Sequence, residues 1–200
     1  MYVVETLPRP VHQDAIELRL ARRDDVAPSS SSRSWLTPGF SASTAFINLA
    51  PRLVCVFTVD DGPALTHQQI GELTPSMNQL WNGAADRLAK RALVDTGVEF
   101  LVRNPAAALE QTGLPPGLEV GGHGVPPTAW LAHPKTFTVM HRHFQTVLDP
   151  RHELVYATRD DQELFIFDAP LHHVRDILGR GALMTYSVGF PLMHDPPVSG

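Results

Sequence analysis

The sequence predicts an α+β fold, a mixed or mainly antiparallel sheet with helices packed mostly on one face. Three observations carry that expectation. Leu53–Val59 is an unbroken apolar, β-rich run of strand length. Met77, Leu80, Trp81, Ala84, Leu88 and Ala92 recur at steps of three and four, an apolar helical stripe with Asp86, Arg87, Lys90 and Arg91 mostly off it. Residues 154–157 and 164–167 are apolar runs flanking Thr158, Arg159, Asp160, Asp161 and Gln162, the pattern of a β-hairpin. Strands joined both by helices and by a hairpin build a layered α+β core.

The remaining elements follow in order. Residues 1–50 read as an N-terminal arm or flap, and 51–200 as a single core domain. Asp14 and Glu17 suggest a capping box, while Ile16, Leu18 and Leu20 alternate as a strand does; both readings stand. Ala27, Pro28 and four serines form a loop. The strand at 53–59 ends in the turn Asp60-Asp61-Gly62-Pro63. Thr66 caps a short helix reaching Leu73, and Thr74 caps a longer one with Pro75 at its first position. Residues 98–102 read as a strand, and the Gly- and Pro-rich stretch 104–127 as loops around a helical turn or two at 106–111. A helix over 135–148, entered at Pro134, shows a stripe of Phe137, Met140, Phe144, Val147 and Leu148. A last helix covers 171–178 and stops at Gly179, and 184–188 reads as an edge strand.

Composition narrows the function classes. The chain has 200 residues, 43% of them hydrophobic, enough to bury a core without a staple. Its formal net charge of −5 argues against nucleic acid as a partner. A single cysteine, Cys55, rules out an intrachain disulfide, and its apolar neighbours mark it as a small buried hydrophobe. The N-terminal residues lack the basic and apolar segments of a signal peptide, and the apolar runs are too short to span a bilayer. The expected location is the cytoplasm, with no membrane partner.

Ten histidines raise the question of a metal. On a helix His141 and His143 point about 200° apart, so one ion cannot take both. A set drawn from across the fold, His123, His133 and His141, would serve a divalent metal, the cofactor of an alternative reading as a small metal-dependent hydrolase with Asp160 as its carboxylate. The glycines at 121, 122 and 124 lack the spacing and lysine of a phosphate-binding loop, and no G-x-S-x-G elbow occurs. Arg159, with Asp160 beside it, is a candidate ligand clamp, because a guanidinium fork suits a carboxylate or phosphate; a small-anion sensor would use it. Trp35 and Phe40 are candidate partner anchors. No residue is assigned a catalytic role outside the metal reading.

The segment from Leu53 to Ala169 resembles the YtpQ-like family of uncharacterised bacterial proteins. The resemblance rests on Val56-Phe57-Thr58-Val59-Asp60-Asp61, the threonine-capped helix from Thr66, the helix from Leu80 to Ala92, and Leu154 to Asp160 followed by Leu164 to Phe167. It implies an α+β fold and no activity or catalytic residues. The long N-terminal arm and the Pro-rich 104–127 stretch depart from that pattern. The expectation is therefore a non-catalytic binding or regulatory module that acts through protein contacts or self-association.

Overall fold

The computed structural model describes residues 11–26, 43–122 and 124–194. Buried Ile16, Leu18 and Leu20 decide the N-terminal alternative for a strand, β1 (Ile16–Arg22), preceded by a 3-10 turn at Gln13–Ala15 and followed by one helical turn, α1 (Arg23–Val26). β1 and β2 (Phe46–Ala50) flank β3 (Leu53–Val59) in a three-stranded antiparallel sheet. β1 runs in register with β3 from Ile16↔Val59 to Arg22↔Leu53. The described part of the expected 1–50 arm is thus joined to the core's own sheet. β3 is buried from Leu53 to Thr58, as its unbroken apolar run demands of a central strand.

Thr66 caps α2 (His67–Gly71) in a capping box with Gln69. The long helix α3 (Met77–Arg91) starts later than expected, with Ser76 rather than Thr74 as its cap. The Gln79 N–H donates to Ser76 Oγ at 3.3 Å and the Ser76 N–H donates to Gln79 Oε1 at 2.8 Å. That reciprocal pair outcompetes Thr74 and leaves Pro75 outside the helix. Leu80, Ala84 and Ala85 of α3 pack on Ile16, Leu18, Cys55 and Phe57.

The expected strand at 98–102 is instead a ribbon, β4 (Leu93–Val94) with β5 (Gly97–Val98), followed by β6 (Val102–Arg103). Past the turn α4 (Ala106–Leu109) comes β7 (Gly117–Val120), a strand inside the stretch read as loops. Gly117 explains the misreading. A Cβ there would lie 2.4 Å from the Phe167 ring, so this glycine serves close packing inside a sheet rather than a turn. A buried 3-10 turn at Pro127–Ala132 leads into α5 (Pro134–Leu148), with proline at its first turn as expected.

The hairpin β8 (Leu154–Thr158) and β9 (Leu164–Asp168) forms as expected, and so does α6 (Leu171–Leu178). β10 (Ala182–Ser187) is not an edge strand: it pairs with β8 on one side and β11 (Phe190–His194) on the other. The outermost strand is β11, where Pro191 is tolerated because an edge can do without a ladder donor. The six-stranded sheet is antiparallel throughout, in the order β11-β10-β8-β9-β7-β6.

Alternation along these strands creates two faces. Leu154, Tyr156, Leu164, Ile166, Ala182 and Met184 meet Phe137, Met140 and Phe144 of α5, with Trp130 and Leu88 of α3 in the same core. Val155, Ala157, Phe165, Phe167 and Leu183 meet Val174 and Leu178 of the shorter α6 and Leu109 of α4. Most helical residues therefore lie on the first side. Val147, expected on the α5 stripe, is 62% exposed on the last turn, while Thr136 in the first turn is buried and donates to the Trp130 carbonyl at 2.9 Å.

Candidate functional site

His133 sits at the entry to α5, where its Nδ1 accepts the Lys135 backbone N–H at 3.0 Å, making it the helix cap. That bond places the ring proton on Nε2, which lies 3.1 Å from Asn82 Oδ1. The Trp81 ring packs against the imidazole at 4.2 Å, and its N–H donates to the Ala132 carbonyl at 2.9 Å. Burial pushes the His133 pKa down to about 4, helped by Lys135 and opposed by Asp86. His141 lies eight residues further along α5, about 12 Å of helical rise away. Its Nδ1 is 2.9 Å from the Tyr156 hydroxyl and its ring stacks on Tyr186 at 4.0 Å. Burial lowers its pKa, with Glu153 opposing, and burial raises that of the Tyr156 hydroxyl. Tyr156 therefore stays protonated and donates to His141.

The structure does not bring His133 and His141 together, and both are occupied in holding α5 in place. His123 lies outside the described residues, as do Trp35 and Phe40. Among the described residues no three His, Cys, Asp or Glu side chains converge as a metal site. Cys55 is fully buried, and burial pushes its thiol up, away from the reactive thiolate.

The β8–β9 turn employs its own polar groups. Arg159 donates to Glu163 through Nε at 2.7 Å and Nη2 at 2.6 Å, with its guanidinium carbon 5.7 Å from the Phe165 ring centroid. Asp160 Oδ1 accepts the backbone N–H groups of Gln162 and Glu163, which hold its carboxyl below the usual range against the opposing pull of burial. Arg159 and Asp160 are thus engaged in shaping the hairpin, the first by a bidentate ion pair and the second by a side-chain turn.

A different polar cluster opens on the α6 side of the sheet. A groove of about 280 Å³ lies where α6 begins, lined by Val155, Ala169, Pro170, Leu171, His152, Glu153, Thr185 and His194. Asp168 Oδ1 accepts the His152 backbone N–H at 2.8 Å and lies 3.1 Å from the ring Nδ1, while Oδ2 accepts the Arg151 N–H at 3.1 Å. Against opposing burial, these donors keep the Asp168 carboxyl low, so it is an acceptor and His152 Nδ1 carries the proton toward it. Thr185 Oγ1 lies 3.0 Å from His194 Nε2, and Arg175 donates to the carbonyls of His194 and Gly181. Sequence reasoning missed the pairs His152–Asp168 and Thr185–His194. The hairpin signal could have found one pair, since the register Leu154↔Asp168 brings the approach to β8 beside the end of β9.

Apart from Val147, the large apolar side chains left exposed among the described residues fall in two stretches of chain. Leu93 (62%), Val94, Leu101 (60%) and Val102 lie on β4, β6 and the residue before β6. A shallow groove of about 250 Å³ runs among Arg91, Ala92, Val94, Glu99 and Leu101. Among the described residues β6 pairs only with β7, so its other side is a sheet edge. Val188, Phe190 and Leu192 form a second exposed group at the β10–β11 hairpin. Among the described residues, no helix is long and apolar enough to cross a membrane.

Compared with protein-family models, curated proteins and solved structures, the chain matches none. Those comparisons do not bear on the YtpQ-like resemblance.

Proposed function

We propose that this chain is a non-catalytic, cytoplasmic binding module that works through protein contacts, using the β6 edge of its six-stranded sheet. The single observation that supports this reading is that Leu93, Val94, Leu101 and Val102 are exposed in the segment leading into the outermost strand β6, with Val94 and Leu101 lining one groove. Edge strands offer backbone donors and acceptors to an incoming chain, and proteins normally blunt them with charge. Here the edge is short and carries exposed Leu101 and Val102 beside Arg103, which suits addition of an extended partner strand whose side chains rest on Leu101 and Val94. His133 and His141 are engaged at α5 and Cys55 is buried, so none of the three adds chemistry to that surface.

The test compares wild type with Leu101→Lys/Val102→Lys. Both positions are exposed, so the variant keeps its fold, checked by circular dichroism. Sedimentation of the pure protein and quantitative capture from lysate are run on both. Self-association, or a stoichiometric partner, present for wild type and lost in the double variant supports the reading. A monomer whose captured proteins are the same with either chain overturns it.

A further inference from the structure

We propose that the partner of the β6 edge is a second copy of this chain, paired antiparallel about a two-fold axis at Leu101. This rests on the reading of β6 as a contact surface and names what binds there.

Backbone direction decides which residues can take up a new strand. The Leu101 carbonyl accepts the Gly121 N–H at 2.8 Å, and Val102↔Val120 and Arg103↔Glu119 continue that register. Along an extended strand the backbone groups alternate sides, so Leu101 and Arg103 turn theirs toward β7 and Val102 turns its N–H and C=O to the open edge. Side chains alternate as well, which places Leu101 and Arg103 on one face. Two residues earlier the Glu99 N–H donates to the Ala92 carbonyl at 2.8 Å, the last bond of the β4–β5 ribbon. Glu99 and Leu101 are exposed with buried Phe100 between them, the alternation of an extended segment.

The order of charges selects the occupant. Residues 99–103 read Glu-Phe-Leu-Val-Arg, opposite charges at equal distance from a central leucine. Run antiparallel against itself about Leu101, this segment sets Glu99 opposite Arg103 of the second copy and Arg103 opposite its Glu99. Leu101 then meets its own equivalent, beside Val94 on the groove that Glu99 also lines. Run parallel in the same alignment, the segment sets like charges together, which is unfavourable. Arg103 can take this second carboxylate. Glu119 occupies its Nε and Nη2, which leaves Nη1, and the side chain is 73% exposed. A charged side chain on an edge normally guards it against pairing. Here a second copy answers that charge at the matching position, twice, and the two-fold contact closes on itself.

The experiment places single cysteines in the full chain, whose own Cys55 is fully buried. Because Leu101 turns its backbone toward β7, it and its equivalent form a non-hydrogen-bonded pair with Cα atoms about 4.5 Å apart. That separation is within disulfide reach, so Leu101→Cys should cross-link under mild oxidation about tenfold faster than Val102→Cys or Val147→Cys. Val102 is offset along the strand from its equivalent, and exposed Val147 on α5 reports random collision. Sedimentation of wild type at about 100 μM should show a dimer. Glu99→Arg, exposed and facing Arg103 of the second copy with a like charge, should shift it to monomer. Equal cross-linking at the three positions overturns the proposal, as does a dimer unchanged by Glu99→Arg. A monomeric wild type overturns it too. If Leu101→Lys/Val102→Lys then still loses a captured protein, the β6 reading survives with a different occupant.

Discussion

The two faces of the six-stranded sheet each carry a histidine–hydroxyl pair, and they employ it differently. Under α5, His141 meets the Tyr156 hydroxyl at 2.9 Å, Tyr186 stacks on the imidazole and reaches Thr138 at 3.0 Å, and Phe137 meets Tyr156 edge-on at 4.8 Å. A 15-residue helix closes over this network. On the far face His194 meets the Thr185 hydroxyl at 3.0 Å, and both residues border the groove at the start of the eight-residue α6. In both pairs the hydroxyl residue is buried and the histidine half-buried, one pair lying under a long helix and the other beside a groove. Satisfied polar groups in a closed core specify its packing, because losing one partner strands the other.

The largest contrast is expected from apolar truncation. Phe137→Ala removes a fully buried ring under α5 and should cost about 3–5 kcal/mol in denaturant unfolding. Leu171→Ala on the groove should cost less than about half of that, since the site is already open on one side. Similar losses from both would mean that the second face is as closed as the first. Next come the hydroxyls. Tyr156→Phe leaves His141 Nδ1 without its donor and should cost about 1–2 kcal/mol. Thr185→Val should stay within ~0.5 kcal/mol, because groove water can serve His194.

A further contrast is a pH dependence at the entry to α5. The folded pKa of His133 lies at about 4, below its unfolded value near 6.5. The unfolded chain therefore takes up the proton first as the solution is acidified. The stability His133 contributes is complete above pH 6.5 and is lost as pH falls from there to about 4. His133→Asn can still cap the helix but does not titrate, so its melting temperature should fall less than that of wild type over this window. Parallel curves for the two proteins would remove His133 as the cause.

Local pattern made part of this architecture legible. α5, α6 and the β8–β9 hairpin follow from periodicity and from Pro134 and Gly179, because each is decided within its own stretch of chain. β7 was hidden because Gly117 answers to a Phe167 ring fifty residues away in sequence. β1 was ambiguous until β3 was available as its partner. The turn role of Arg159 and Asp160 was visible as one of two options, whereas the cap role of His133 was not, since histidine is not among the favoured caps. The groove was least legible of all. His152, Asp168, Thr185 and His194 come from separate elements, and only strand register and the extent of α6 make them neighbours.

The β10–β11 turn links these two faces. Val188 and Gly189 both adopt positive φ, and Gly189 rests directly on Pro134, where a Cβ would come within 2.8 Å of the proline Cβ. Any side chain at position 189 would collide with the proline that opens α5, so the absence of a Cβ there is what lets the hairpin turn lie against the start of the helix.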